Sequence, residues 1–329
     1  MLVSFVPILL TNLFFSGNPL ATLSWSLHLL LYSAFVFSLS STLLSFLSSP
    51  LSLAIFSQVT LALVQLALGH SLQGFFYWLG ERAVSVGAPT VATASFFGHT
   101  LLRAYGTFSH PNALAGWLTI ACLIVLQPKR SAGEGQTPWL PTVTICLASL
   151  GVLATGSRAA AASLFGLVIP FYYLRSWRPR LTYFVFLLTA SCLLLPSGFA
   201  GRSLDLSASS RLALQNVSFS LLRAAPIFGT GAEGSISAAA PLARPLGLLS
   251  LQPDHDSFTL FLSWFGLFGA LALILSSIQP PYNRYSFYKL YKSYIPLLPL
   301  LFFDHYLLTS PQGLFILLLY LRTLLVPAV

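Results

Sequence analysis

The chain has 329 residues, 56% of them hydrophobic and 7% charged, with a formal net charge of +9 and a mean hydropathy of +0.81. A soluble domain carries about 25% charged residues, so too few are present to cover a water-facing surface. The basic residues sit in short loops between apolar runs and form no stripe interleaved with aromatics. That excludes nucleic acid as a partner and leaves the lipid bilayer.

A membrane-spanning helix needs about 20 apolar residues, within a range of about 17–25. In chain order ten stretches qualify, roughly 1–15, 20–45, 51–78, 111–127, 139–155, 158–174, 181–199, 256–278, 294–309 and 311–328. The first and the last two are short or interrupted by proline, so eight to ten spans are expected. Met1 to Phe15 lacks a basic leader and a small-residue cleavage site and reads as a short first span. The expected fold is all-α, a polytopic transmembrane helix bundle forming one integral membrane domain. Its parts are N-terminal spans with an outer loop (1–110), central spans (111–199), a large extracytoplasmic loop (200–254) and C-terminal spans (255–329). Within the large loop, Leu214, Val217 and Leu221 fall at helical spacing in Ser210–Ala225, with Arg211 and Gln215 assigned to other faces. This predicts an amphipathic helix.

Charge sets the orientation. Lys129, Arg130, Arg175, Arg178, Arg180, Arg284, Lys289, Lys292 and Arg322 lie at alternate turns of the path with one acid, Glu134, which marks a cytoplasmic side. Arg82, Arg103, Arg158, Arg202, Arg211, Arg223 and Arg244 fall on the other side with six acids. Arginines kept at the outer mouth of a bundle suit a planar fork that holds phosphate or carboxylate. Cys122, Cys146 and Cys192 lie far apart in apolar runs and read as packing residues.

The candidate chemistry collects at outward helix starts. Ser157-Arg158 is expected to open the sixth span, Ser209-Ser210-Arg211 the amphipathic helix, and Asp254-His255-Asp256 the eighth span. Each Ser or Asp stands where an N-cap belongs, and an outward N-terminus beside an arginine favours an anion. For a single arginine in such a place, an interfacial anchor is the plainer role. His255 lies between two carboxylates, which raise a histidine's pKa when close. No second His or acid cluster is evident to complete a coordination shell around Asp254, His255 and Asp256, so no metal is expected. Arg103 to Asn112 is a turn leading into a helix, with Gly106 for the bend and Pro111 in the first helical turn. Gly229-Thr-Gly231-Ala-Glu-Gly234 matches GxGxxG without a strand before it, so a dinucleotide site is rejected. Asp304-His305 stands near the outer end of the ninth span, where an acid is expensive and often functional.

The ordered set Arg103-Ala-Tyr-Gly-Thr-Phe-Ser-His-Pro-Asn112, Thr155-Gly-Ser-Arg158, Ser209-Ser210-Arg211, Pro226-Ile-Phe-Gly-Thr-Gly231, and His255 leading into Phe261-Leu-Ser-Trp-Phe-Gly266-Leu-Phe-Gly269 resembles the O-antigen ligase and polymerase family of bacterial membrane glycosyltransferases. The likeness covers about 100–275, and Asp256 stands where the family often has Asn. The resemblance implies a multi-pass enzyme of the cytoplasmic (inner) membrane, working on its outer face. It would move a glycan from a polyprenyl-pyrophosphate carrier to a glycan, lipid or protein acceptor, with no cofactor. It implies that Arg158 and Arg211 engage the pyrophosphate and that His255 serves the acceptor hydroxyl. Arg103 and Asn112 join the substrate-binding set, and Asp254, Asp256 and Asp304 are expected in support. Polymerization of the same carrier-linked glycan is the nearest alternative. A lipid-linked glycan flippase is the rival from another class, but transporters gather polar groups at the midplane, and here they gather at one mouth.

Overall fold

The computed structural model describes residues 2–96, 99–127, 140–169, 204–243, 252–277 and 294–325. The expected span 181–199 lies outside these residues. So do Lys129, Arg130, Glu134, Arg175, Arg178, Arg180, Cys192, Arg202, Arg244, Arg284, Lys289 and Lys292. The described chain is mostly helical. Among the described residues, three helices are long and apolar enough to cross a membrane, Pro19–Ser38, Ser41–Leu68 and Ser257–Leu275. Four shorter apolar helices accompany them, Pro111–Val125, Leu140–Thr155, Arg158–Val168 and Pro311–Leu324.

Several expectations are corrected. The stretch 51–78 does not remain helical to its end. The helix stops at Leu68, capped by Gly69 in the left-handed conformation (φ 72°), where glycine meets no Cβ penalty. The region 79–110, expected as an outer loop, carries a short two-stranded hairpin in an otherwise mostly helical described chain. Thr93–Phe96 and His99–Leu102 pair antiparallel, with Thr93 opposite Leu102. The stretch 294–309 is not one helix. Pro296 and Pro299 lie in it, and it is broken into a 3₁₀ turn at Ile295–Leu297 and helices at Leu298–Phe303 and Tyr306–Thr309. Proline removes an N–H and crowds the preceding turn, which accounts for such breaks.

The chain divides into two compact units. One comprises 39–203, 295–300 and 319–329. Its core is three helices, Ser48–Leu68, Pro111–Val125 and Leu140–Thr155, brought close by a small residue. A Cβ on Gly151 would stand 2.6 Å from Leu118 and 2.7 Å from Val59. Without a hydrophobic drive between helices in lipid, such close packing and polar pairs hold them together. One such pair is Ser52–Thr144, at 3.0 Å.

The other unit comprises 1–38, 204–294 and 301–318. Its core joins Leu9, Trp25, Ala232, Leu260, Trp264, Phe265 and Leu314. The described part of the large loop is mostly helical, with Leu204–Ala224 followed by Gly234–Ala243. Leu214, Val217 and Leu221 are buried as the spacing requires.

Candidate active site

In the first unit, the turn before Pro111 is set by two glutamines seven residues apart on the helix Ser48–Leu68. Gln65, fully buried, accepts from the N–H groups of Tyr105 (3.0 Å) and Gly106 (2.8 Å) and donates to Gly106 O and Glu81. Gln58 accepts from Thr107 N and donates to Thr107 Oγ1. Gly106 takes φ +57°, and a Cβ there would lie 2.5 Å from Gln58 Oε1, so the bend needs glycine. His110 caps the following helix through Asn112 N, with Pro111 in the first turn. Sequence reasoning missed both glutamines. Their signal is two amides at i and i+7 on an apolar helix.

This bend delivers Arg103, which is 8% exposed. Its Nε donates to Thr155 O (2.6 Å) and one Nη to Asn112 Oδ1 (2.6 Å). The structure thus joins Arg103 and Asn112 to each other and to the end of the helix Leu140–Thr155. Gly156 then turns at φ +63°. Ser157 caps the next helix as expected, accepting from Ala160 N. Arg158 is the first residue of that helix and is exposed. Its guanidinium meets no hydrogen-bond or ion-pair partner among the described residues. It is a fork held at a helix start, where N–H groups and the helix dipole favour an anion.

In the second unit, the glycines of the GxGxxG stretch serve backbone packing. The helix Ser257–Ser277 contains a break at Gly266 (φ 60°, ψ −163°), and the loop 226–231 fits against it. Thr230 N and Gly231 N donate to Ser263 O and Trp264 O, while Leu267 N and Phe268 N donate to Pro226 O and Ile227 O. The carbonyls and amides freed by the break are thereby satisfied, as a buried interruption requires. Asn12, 2% exposed, locks the arrangement. It donates to Trp264 O (2.6 Å) and accepts from Ala232 N (2.8 Å). Asn12 was not singled out from the sequence, where it is one polar residue in an apolar stretch.

The break leaves the helix start intact. Asp256 Oδ1 accepts from Phe258 N (2.8 Å), the expected cap. Asp254 accepts from Asp256 N (3.1 Å) and from Thr259 Oγ1 (2.5 Å), and Ser218 also reaches it. The expected position of Arg211 is corrected. Its helix begins at Leu204, because Leu204-Asp-Leu-Ser-Ala-Ser holds no breaker, so Ser209-Ser210-Arg211 lies inside the helix. Arg211 also does not point away from the buried stripe. Positions 211, 214, 218 and 221 follow the 3.6-residue period on one face. That face brings Ser218 to Asp254 and the charge of Arg211 to His255.

His255 meets two residues from fifty positions along the chain. Ser257 Oγ donates to Asp304 O (2.7 Å), and the rings of His255 and His305 lie 5.2 Å apart. Ligand atoms of His255, Asp304 and His305 all fall within 4.8 Å of one another. These are the second histidine and the acid whose apparent absence argued against a metal in the sequence, so that premise is corrected. His255 Nδ1 is buried and meets no hydrogen-bond partner among the described residues.

The electrostatics also reverse an expectation. Burial, and secondarily the charge of Arg211, pushes the His255 pKa down from 6.5 to about 4. Asp254 and Asp256 do not raise it. Their oxygens accept from Asp256 N, Thr259 and Phe258 N instead. Burial pushes the Asp254 carboxyl up, against hydrogen bonds from Thr259, Asp256 and Ser218. At neutral pH the site offers an uncharged imidazole beside a guanidinium.

Residues 143–275 match the family model described as O-antigen ligase. The match takes in Arg158, Arg211, the loop 226–231, His255 and Gly266, and it leaves Arg103–Asn112 outside. It supports membership in the O-antigen ligase family and a function of ligase or polymerase type. With the apolar helices, it identifies an integral membrane protein. No curated protein and no solved structure matches the chain.

Proposed function

We propose that the chain is a metal-independent glycosyltransferase that moves a glycan from a polyprenyl-pyrophosphate carrier to an acceptor hydroxyl. The observation that carries this reading is the charge of Arg211 acting on a half-buried, uncharged His255 on the matched segment. The acceptor oxygen attacks the anomeric carbon as the bond from that carbon to the pyrophosphate oxygen breaks. Polyprenyl pyrophosphate leaves with the bonding electron pair, and the configuration inverts. The hydroxyl proton passes to a ring nitrogen of His255, a contribution of typically 10²–10⁴-fold. Arg211 stabilises charge developing on the leaving oxygens, where loss of one preorganised donor costs about 10²–10³-fold. The resemblance also assigns Arg158 to pyrophosphate, and its fork is exposed at its own helix start. The leaving group is already activated, so no nucleotide or metal is needed to drive the step.

The reading includes about ten spans, cytoplasmic termini and a site facing the outer side of the cytoplasmic membrane. The alternation of lysine-bearing and arginine-bearing loops supports that orientation. The test uses protein in vesicles with a polyprenyl-pyrophosphate-linked glycan. A lipid-core acceptor reports ligation and a second carrier-linked glycan reports polymerization. Arg211→Ala, Arg158→Ala and His255→Ala should each lower transfer at least about 10²-fold at unchanged protein level. Transfer left intact by Arg211→Ala and His255→Ala sinks the assignment.

A further inference from the structure

The geometry points to a binding site for a divalent transition-metal ion of the zinc or cobalt class, built from His255, Asp304 and His305, whose occupancy silences His255. The donor set is two imidazoles and one carboxylate, which suits such ions. Their ligand atoms lie within 4.8 Å of one another. Around a tetrahedral ion with bonds of about 2.0–2.1 Å, donors stand about 3.3 Å apart, so side-chain rotation over about 1.5 Å closes the site. Asp304 and His305 are 5% and 4% exposed, and the buried Nδ1 of His255 has no partner to give up among the described residues.

The surroundings also prepare His305. Thr309 Oγ1 donates to His305 O (3.3 Å) and stands 2.8 Å from His305 Nδ1. With its proton directed to the carbonyl, the hydroxyl accepts from Nδ1–H, which leaves the Nε2 lone pair for an ion. A ligating histidine commonly donates its other ring nitrogen to such an outer partner, which fixes ring and tautomer. Ser257 does the same for the backbone of Asp304. The charge of Arg211 acts on His255. It opposes a second positive charge and makes the ion exchangeable, weaker than in a closed structural zinc site.

Ion binding does not depend on the transferase reading, whereas the silencing of His255 rests on it. An ion and an acceptor proton compete for the same imidazole. The experiment uses full-length protein without a histidine tag, stripped with chelator and titrated with Co²⁺ in detergent. One equivalent should give visible d–d bands. His305→Gln, which keeps the side-chain bulk, and Asp304→Asn should each weaken binding at least about tenfold. His70→Ala, in the other unit, should bind as wild type. Absence of the bands, or full binding by His305→Gln, overturns the site. In the vesicle assay, Zn²⁺ should inhibit wild-type transfer reversibly with chelator, while His305→Gln should transfer without Zn²⁺ sensitivity. Zn²⁺-insensitive wild-type transfer in protein that binds Co²⁺ overturns the silencing. No transfer by metal-free wild type, with Co²⁺ binding intact, fails the transferase reading and leaves the ion site standing.

Discussion

Gly266→Ala should disable the fold around the candidate site. At φ 60° and ψ −163° the backbone lies in a region that is essentially glycine-only and costs a side chain about 1–3 kcal/mol. A Cβ would also stand 2.4 Å from Ile227 O, 2.6 Å from Ile227 C and 2.7 Å from Gly229 N. All three atoms are backbone, so no rotamer change relieves the contact. The segments must separate, which strains the bonds from Thr230, Gly231, Leu267 and Phe268 across the interface. At about 1 kcal/mol net each, losing two to four of them brings the cost to about 3–7 kcal/mol. A domain is stable by about 5–15 kcal/mol. The protein should therefore fail to accumulate, or melt far below wild type when followed by tryptophan fluorescence in detergent. Gly17→Ala is the control. Its nearest neighbours are at 3.6 Å and its φ is not positive, so its melting temperature should stay close to wild type. Wild-type accumulation and melting for Gly266→Ala would refute the reasoning.

Asn12→Ala removes a buried amide that serves both Trp264 O and Ala232 N. It should destabilise by about 2–4 kcal/mol, seen as a lowered melting temperature. Arg103→Lys keeps the charge but cannot span Thr155 O and Asn112 Oδ1 with one planar fork. It should cost about 1–3 kcal/mol in the same melt. The neutral state of His255 stabilises the fold fully above its unfolded pKa near 6.5, and that stability is lost as pH falls toward about 4. The limit is about 3 kcal/mol. Asp254, raised by burial, acts in the opposite sense on acidification. Melts of wild type against His255→Gln, both in chelator, cancel it, and the wild-type excess should shrink between about pH 6.5 and 4. A constant difference across that window would contradict the assignment.

Local signals were legible where one residue decides an outcome. Ser157, Asp256 and His110-Pro111 mark helix starts because capping is settled within three residues of chain. The stripe Leu214, Val217, Leu221 is legible because helical period alone places it. The start of that helix was not, since no residue in 204–209 resists helix and serines are tolerated inside one. Hydropathy sees Ser257–Ser277 as an unbroken apolar run and cannot register Gly266, whose conformation is imposed by the loop 226–231. His305 escaped for a related reason. It lies fifty residues from His255 in a proline-broken stretch, and only tertiary packing brings the rings to 5.2 Å. The direction of the His255 pKa depended on where two neighbouring carboxylates spend their oxygens, which sequence adjacency does not determine.

The arginines with structured surroundings divide by what already occupies their forks. Arg103 is buried with Nε and one Nη committed to protein oxygens at 2.6 Å each. These two bonds tie the guanidinium to the end of the helix Leu140–Thr155 and to the start of the helix Pro111–Val125. Thr155 O is the last helical carbonyl before Gly156, and Ser157 caps the helix that Arg158 begins. Arg103 therefore acts as a positioning residue for the exposed Arg158, fixing the turn from which that fork projects. Arg211 is positioned differently, from the middle of a helix whose buried face also carries Ser218 to Asp254. Its charge helps keep His255 unprotonated, and an anion that neutralises Arg211 would relieve that effect and make the imidazole a stronger base. On the proposed transferase reading, binding of the pyrophosphate would thereby raise the basicity of the group that receives the acceptor's proton, coupling the donor's arrival to activation of the acceptor.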